Sequence, residues 1–456
     1  MTTNGANATR GGLSTWLGLA ILVAGLLNGI GPYLRRTGLI ERDLYETFWS
    51  LHTGPGGYTR APLGLGRRCV THRPIEEGGT AIEGGGPPAR YVFAIRPWEV
   101  PCKALKDLLV LALVAGSVVA ALSGRSALVP LARSWPALAL AALVAWQAAA
   151  GLVRGQPLET VAGLRAFAFL GIAVAAGWVT DELLRGLVPW LLTLLGVQLL
   201  LAPLEFLRGV PVQGHMGLFG ELFARRAAGT FVMPNTLGLF AACVVALAAG
   251  FGATARLRVL AWGLGGLVVV ASGSASGLVV LGATGLVVAL SGPRRRAGVA
   301  LALLAVLLAA GSVLLVSGRP DVADSLSARV AGIGRLFEGR TSDVLFGLRL
   351  GLGTNSERQL RARLGVDSPE ALAAGGSGES GVAAVVLQTG LVGLGLLAAA
   401  LGLAFARNAP ARPLVVALAL AGLILSVPEA FPLNLFLGFV LALHQPFPLA
   451  SHPLPA

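Results

Sequence analysis

Residues 381–405 read GVAAVVLQTGLVGLGLLAAALGLAF and contain no charged side chain. A helix needs about 20 mostly apolar residues to cross a hydrocarbon core about 30 Å thick, because it rises about 1.5 Å per residue. This stretch is therefore long enough to span a membrane, and similar runs recur along the chain. The predicted spans, twelve in all, cover residues 13–31, 104–122, 135–153, 160–179, 183–204, 235–251, 259–273, 275–290, 297–316, 381–405, 414–427 and 433–443.

The composition of the 456-residue chain agrees with this pattern. Hydrophobic residues make up 55% and charged residues 12%, and the mean hydropathy is +0.76. A soluble protein of ordinary composition has about 25% charged residues. We therefore predict an all-α polytopic membrane protein, with one integral domain over residues 1–456. Two long polar insertions, residues 33–103 and 317–380, interrupt the apolar runs.

Several classes of protein are excluded by what the chain contains. Only two of its 35 basic residues are lysines, Lys103 and Lys106, and neither follows a glycine, so a phosphate-binding P-loop is impossible. The histidines are scattered and the three cysteines lack C-x-x-C spacing, which argues against a structural zinc site. We expect no metal, no cofactor and no nucleic-acid partner. The net charge of +13 is better explained by arginines in cytoplasmic loops.

The distribution of arginine predicts the orientation. With the N-terminus inside, the short inner loops hold eleven arginines and the short outer loops hold four. Because inner loops are enriched in Lys and Arg, both termini are predicted to be cytoplasmic. The insertion 33–103 is then predicted to lie outside, although it carries ten basic and seven acidic residues. A cytoplasmic location for it stays open, and would change the number of spans by one. Cys69 and Cys102 within it could form a disulfide or remain two thiols.

Polar side chains inside or beside the spans are candidates for function, because they are costly to bury in lipid. Arg165 lies in the fourth span, and Gln198 and Glu205 in the fifth. A separation of seven residues is about two helical turns, so Gln198 and Glu205 should share one face. A purely structural alternative is an Arg165–Glu205 ion pair.

The outer loop before the sixth span ends in ARRAAGTFVMPN, residues 224–235. Its adjacent arginines, Arg225 and Arg226, are well shaped to bind phosphate through paired hydrogen bonds. The alternative is that they reach lipid head groups. Asn235, which follows Pro234, is placed to cap the incoming helix.

The late insertion, residues 317–380, concentrates further candidates. Residues 322–337 have apolar positions at helical spacing, which is typical of a helix lying on the membrane surface. The stretch DVLFGLRLGLGTNS, residues 343–356, has closely spaced glycines, which permit close backbone approach, but no G-x-G-x-x-G motif. Arg340 precedes this stretch and Arg349 lies within it. At the C-terminal end of this insertion, Glu379 and Ser380 directly precede the tenth span. Glu379 could pair with the helix dipole or act as a general base.

Together these motifs resemble the superfamily of O-antigen ligases and polymerases. The resemblance rests on R-x-x-G-T-F beginning at Arg226 with P-N at residues 234–235, on LFGLRLGLGTN at 345–355, and on ESGVAAVVLQTGLVGL at 379–394. It covers roughly residues 160–397. It implies metal-independent, inverting glycosyl transfer at the outer face of the bacterial inner membrane, from an undecaprenyl diphosphate carrier to an acceptor hydroxyl. Other polysaccharide assembly proteins are possible partners.

The resemblance also implies residue roles. Arg226 matches the arginine of the R-x-x-G motif and Arg165 matches a span arginine, both of which would hold the carrier diphosphate, and Arg225, Arg340 or Arg349 could assist. Glu379 is predicted as the base, with Glu205 as the alternative. Asn355 and Ser380 complete the predicted substrate site.

The chain departs from the family at two places. Glu379-Ser380 stands where ligases usually have a histidine, and residues 272–277, SGSASG, stand where many members have Ser-Arg. A polymerase of O-antigen, capsule or exopolysaccharide therefore fits better than a ligase, and we predict a glycan polymerase. The alternatives are a transporter or flippase of lipid-linked or anionic solutes, an O-antigen ligase, and a non-catalytic scaffold. The two halves of the chain do not repeat each other, which argues against transporters built from repeats.

Overall fold

A computed structural model describes most of the apolar part of the chain. The described residues are 3–37, 39–40, 44–47, 51–54, 57–60, 68–69, 90–93, 97–123, 135–208, 226–231, 233–291, 340–352, 354 and 380–443. The predicted ninth span, the predicted surface helix at 322–337, Arg225, Asn355 and Glu379 lie outside the described residues.

Every predicted apolar run within the described residues is helical, and the prediction of a helical fold is confirmed. The helices are α1 Thr3–Arg36, α2 Glu99–Leu122, α3 Trp135–Val153, α4 Pro157–Ala166, α5 Phe169–Ala175, α6 Asp181–Arg208, α7 Pro234–Phe251, α8 Ala255–Ser272, α9 Ala275–Ser291, α10 Thr341–Phe346, α11 Gly381–Arg407, α12 Arg412–Ile424 and α13 Leu433–Ala442. Two 3-10 turns, Ala409–Ala411 and Val427–Glu429, precede α12 and α13.

The insertion between α1 and α2 contains short strands, an addition to the predicted helices. They are β1 Leu44–Thr47, β2 Leu51–Gly54, β3 Gly57–Arg60, β4 Arg68–Cys69 and β5 Arg90–Phe93. β1 lies between β4 and β5 and pairs antiparallel with both, and β2 pairs antiparallel with β3. The helices on either side extend into the predicted insertion, to Arg36 and from Glu99.

The chain is a helical membrane protein by the length and apolar character of its helices. Within the described residues, six helices or parts of helices pass this test, and a bent pair would make a seventh. Large apolar side chains stay exposed on the outer helices, for example Leu111 at 62% and Leu200 at 80%. Such surfaces are stable against lipid rather than water. The number of twelve spans stays a prediction.

Two of the predicted spans are interrupted. The fourth is not continuous: α4 and α5 meet at an angle of 56°. The tenth, α11, is broken at Gly390, whose φ of 68° and ψ of −171° are not helical. A methyl group at Gly390 would overlap the carbonyl of Leu345, so this backbone position is crowded as well as irregular.

The core is built around α7 and α13, which are apolar on all sides and almost fully buried. Phe240 of α7 stacks on Phe436 of α13, with ring centroids 6.1 Å apart. On α13, Gly438 packs closely against α5 at the carbonyl of Phe169 and the side chain of Ile172. α13 therefore lies between α7 and α5.

Helix ends gather at two ends of the bundle. At one end Ser14 packs against Gly186, and Gly250 packs against the turn before α12. At the other end, Tyr33 Oη donates to the Leu201 carbonyl (3.2 Å) and the Gly381 amide to the Leu425 carbonyl (3.1 Å). We call this second end the polar end. The helices that finish there are α1, α6 and α12, and those that begin there are α2, α7, α11 and α13.

Candidate functional site

The polar end holds buried polar side chains from several distant parts of the chain. The first group surrounds the turn at residues 226–231, between α6 and α7. Glu205, at the end of α6, is only 2% exposed, and its Oε2 accepts hydrogen bonds from the amides of Ala228 (3.0 Å) and Gly229 (2.8 Å). Converging amides of this kind suit a negative charge. The carboxylate therefore holds the backbone of the turn in place.

One helical face of α6 holds the rest of the turn. Gln198 Oε1 accepts from the Thr230 amide (2.7 Å), and Gln198 Nε2 donates to Thr230 Oγ1 (2.9 Å). Thr230 Oγ1 in turn donates to the Gly25 carbonyl of α1 (3.0 Å). The prediction that Gln198 and Glu205 share a face is confirmed, because both contact the same turn.

Arg226 begins this turn and is half-buried. Its Nε donates to the carbonyl of Ser272 at the end of α8 (2.9 Å), and its Nη2 donates to Asn235 Oδ1 (2.6 Å). The amide of Ala227 also donates to the Ala271 carbonyl (3.0 Å). The guanidinium is therefore held in place at the junction of α7, α8 and α9.

The predicted helix cap at Asn235 is wrong. The capping position of α7 is Met233, and no side-chain cap is formed there. Pro234 occupies the first turn, so Asn235 is already inside the helix and its side chain orients Arg226 instead. The turn at residues 272–277 supplies the Ser272 carbonyl and brings Gly273, at φ 55°, within close contact of the Arg226 side chain.

A second group is the glycine-rich loop after α10. The amide of Leu348 donates to the Leu387 carbonyl (2.9 Å), and that of Gly351 donates to Gln388 Oε1 (2.8 Å), which ties the loop to α11 just before its break. Gln147 Nε2 of α3 donates to the Phe346 carbonyl (2.6 Å). The predicted close approach of these glycines is confirmed for Gly351, where a methyl group would overlap the Glu159 carbonyl.

This loop places Arg349 beside α4. Leu350, which follows it, is 2% exposed and packs against Gly163, two residues before Arg165. Arg349 itself is half-buried. The backbones that hold Arg165 and Arg349 are therefore neighbours at the polar end, although they are far apart in sequence.

A third group surrounds Arg165. Its Nε donates to Asp107 Oδ1 of α2 at 2.8 Å, and both side chains are partly exposed, at 37% and 45%. Arg165 therefore pairs with Asp107, which was not predicted, whereas Glu205, the partner considered from the sequence, holds the Arg226 turn. Lys106 lies within electrostatic range of Arg165 and Asp107, and also of Lys103 and Glu429.

The other predicted residues have more peripheral places. Arg340 is exposed at the start of α10, where its carbonyl accepts from the amides of Asp343 (2.9 Å) and Val344 (3.1 Å). Ser380 is 3% exposed and occupies the capping position of α11, with its Oγ 3.5 Å from the Ala383 amide. Among the residues that the structure describes, no three His, Cys, Asp or Glu side chains come together to hold a metal.

Sequence reasoning missed Lys106, Asp107, Gln388 and Glu429 because each lies at the edge of an apolar run or inside one. One signal was available: the only two lysines of the chain, Lys103 and Lys106, are one helical turn apart. No protein-family model matches this sequence, and no curated protein matches it either.

Proposed function

We propose that the protein is a bacterial inner-membrane glycan polymerase of the O-antigen ligase and polymerase type. It would transfer a glycan from an undecaprenyl diphosphate carrier to an acceptor hydroxyl, with the polar end at the outer face and both termini in the cytoplasm. The observation that carries the proposal is Arg226, which is held by hydrogen bonds to two other elements at one end of an apolar bundle. The sequence motifs of the resemblance coincide with this group and with the glycine-rich loop.

The chemistry requires positive charge where the carrier diphosphate departs. The acceptor oxygen attacks the anomeric carbon, the bond from that carbon to the diphosphate oxygen breaks, and the diphosphate leaves with the electron pair. A fixed cation stabilises charge that develops in the transition state without a cost of reorganisation. Arg226 suits this role because its orientation is set before the substrate binds.

A carboxylate would take the proton of the acceptor hydroxyl. Glu379 remains the proposed base, at the entrance of α11. Glu205 suits that role less well, because its Oε2 already accepts two amide hydrogen bonds in a buried position. We assign Glu205 to holding the Arg226 turn.

The experiment uses the purified protein in nanodiscs with a short undecaprenyl diphosphate oligosaccharide and no nucleotide or metal. A ladder of longer lipid-linked products is expected from the wild type and none from Arg226→Ala or Glu379→Gln. The matched control is Arg258→Ala, because Arg258 also donates to a carbonyl at a helix end, that of Gly252 (3.1 Å), but at the opposite end of the bundle. A ladder of normal length from Arg226→Ala would refute the proposal.

A second candidate is a transporter or flippase, and it has its own supporting observation. α4–α5 and α11 are both interrupted, and both contact the glycine-rich loop. Discontinuous helices often form the substrate sites of transporters. Movement of the lipid-linked oligosaccharide across liposomes that contain the protein, without formation of longer products, would favour this candidate.

A further inference from the structure

The glycine-rich loop reaches into the bundle at the place where α11 is broken. Gly390 follows Gly381, the first residue of α11, by nine residues, so the break lies about 14 Å along the helix from the polar end. The Leu387 carbonyl, whose partner in a continuous helix would be the Leu391 amide beyond the break, accepts from the Leu348 amide at 2.9 Å. A loop amide therefore serves a helix carbonyl at a depth where an unsatisfied carbonyl is costly.

The loop and the break also fit each other through two glycines. A methyl group at Gly347 of the loop would overlap the Gln388 carbonyl of α11, and a methyl group at Gly390 of α11 would overlap the Leu345 carbonyl. Each glycine is thus the point at which the backbone of the other segment passes. A side chain at either position would push the two segments apart, so the loop and the break form one packed unit.

Two buried glutamines fasten this unit through their side chains. Gln388 is 1% exposed, and its Oε1 accepts from the Gly351 amide at 2.8 Å. Gln147 of α3 is 6% exposed, and its Nε2 donates to the Phe346 carbonyl at 2.6 Å. Phe346 comes three residues before Arg349 and Gly351 two residues after it. The glutamines therefore hold the loop on both sides of this arginine.

The loop can offer a ligand charge rather than a nest of amides. The loop amides that already donate within the protein are those of Gly347 (2.8 Å), Leu348 (2.9 Å), Gly351 (2.8 Å), Leu352 (3.4 Å) and Thr354 (3.2 Å). A glycine-rich loop that cradles phosphate through its backbone needs such amides for the ligand. The half-buried Arg349 is thus the group through which this loop would contact a phosphate.

We infer that Gln388 and Gln147 are positioning residues, which fix Arg349 where the carrier diphosphate binds. The inference rests on the proposed function and deepens it, because it names the groups that set the place of an assisting cation. The break at Gly390 admits the loop to this depth, and the two glutamines keep it there. Neither glutamine touches the substrate, so both act through Arg349.

The test is a double-mutant cycle on the dissociation constant of undecaprenyl diphosphate, measured by native mass spectrometry on Gln388→Met, Arg349→Gln and the double variant. Methionine keeps the length of the side chain and removes the amide group. Arg349→Gln should weaken binding by about tenfold to a hundredfold and Gln388→Met by about threefold to tenfold. The double variant should bind as weakly as Arg349→Gln and no weaker. Independent losses that multiply in the double variant, or unchanged binding by Gln388→Met, would overturn the inference.

The matched control is Thr389→Val, one residue further along α11. Thr389 is fully buried, and its Oγ1 donates to the Val385 carbonyl of its own helix at 2.8 Å instead of to the loop. This variant loses a buried hydrogen bond of α11 beside the break. Its affinity for undecaprenyl diphosphate should equal that of the wild type, and weakening as large as in Gln388→Met would show a general effect on the helix.

Polymer formation gives a second readout. Gln388→Met should raise the KM for the lipid-linked donor and leave kcat nearly unchanged, because a displaced Arg349 weakens binding. A merely structural glutamine would lower the active fraction, and so the apparent kcat, at constant KM, which would also overturn the inference. If the cycle holds but the wild type makes no polymer, the proposed function fails while the positioning role stands. A wild type that binds no undecaprenyl diphosphate would remove both.

Discussion

The Glu205 carboxylate should decide whether the Arg226 turn keeps its shape. Replacing Glu205 with alanine removes the oxygen that accepts the amides of Ala228 and Gly229, in a place where both residues are buried. Each buried amide left without a partner costs about 1–3 kcal/mol. The local free energy of opening of the turn should therefore fall by about 2–6 kcal/mol.

The assay is hydrogen exchange of the peptide that contains residues 226–231, followed by mass spectrometry. Because 1.4 kcal/mol corresponds to a factor of ten in an equilibrium constant, the amides of this turn should exchange at least about 30-fold faster in Glu205→Ala. Glu205→Gln keeps an oxygen acceptor but loses the charge, so its effect should be smaller, about 1–3 kcal/mol. The effect of alanine should exceed that of glutamine, because only alanine removes the oxygen that accepts the two amides.

The matched control is Thr193→Ala on the same helix. Thr193 donates to the Pro189 carbonyl at 3.0 Å on an exposed face, far along α6 from the turn. Exchange of residues 226–231 should be unchanged there. Exchange of the turn at the wild-type rate in Glu205→Ala, or equally fast exchange in the glutamine and alanine variants, would contradict this role for the carboxylate.

Further outcomes follow from the same structure. Gly351→Ala should lower the thermal unfolding midpoint, because its φ of 88° costs a side chain about 1–2 kcal/mol and the new methyl group meets the Glu159 carbonyl, whereas Gly395→Ala, which has open space, should not. Arg226→Lys should reduce polymer formation nearly as much as Arg226→Ala, because lysine cannot reproduce the two hydrogen bonds that orient the guanidinium. Cys102, half-exposed at the polar end, should react with a membrane-impermeant maleimide added outside intact spheroplasts when the other two cysteines are alanine; labelling only after lysis would reverse the proposed orientation.

The helical fold could be predicted from the sequence because apolar runs of sufficient length have one stable form in lipid. The shared face of Gln198 and Glu205 was predictable for a similar reason, since it depends only on helical periodicity. The interruptions at the α4–α5 bend and at Gly390 were not predicted. The segments that pack near them lie far along the chain: Leu345 contacts Gly390, and Leu350 contacts Gly163 of α4.

The partners of the charged residues could not be read from spacing. Arg165 and Asp107 are 58 residues apart, and Arg226 is 46 residues from Ser272. Such pairs follow from how the helices pack, which composition and periodicity do not specify. Asn235 illustrates the limit: a residue type that favours helix caps lies after a proline, yet Pro234 takes the first helical position and frees the amide side chain to orient Arg226.

The way in which Arg226 is held bears on the choice between enzyme and transporter. A transporter site must be exposed to each side of the membrane in turn, so the groups that bind the substrate have to move relative to part of the bundle. The Arg226 turn is attached to α6 through Glu205 and Gln198, to α1 through Thr230, and to the end of α8 through Ser272. Rocking any of these helices against the others would break buried hydrogen bonds. An enzyme benefits from the same attachment, because a cation fixed in advance is most effective where charge develops only in the transition state. The attachment of this turn to three helices at once therefore favours catalysis over transport.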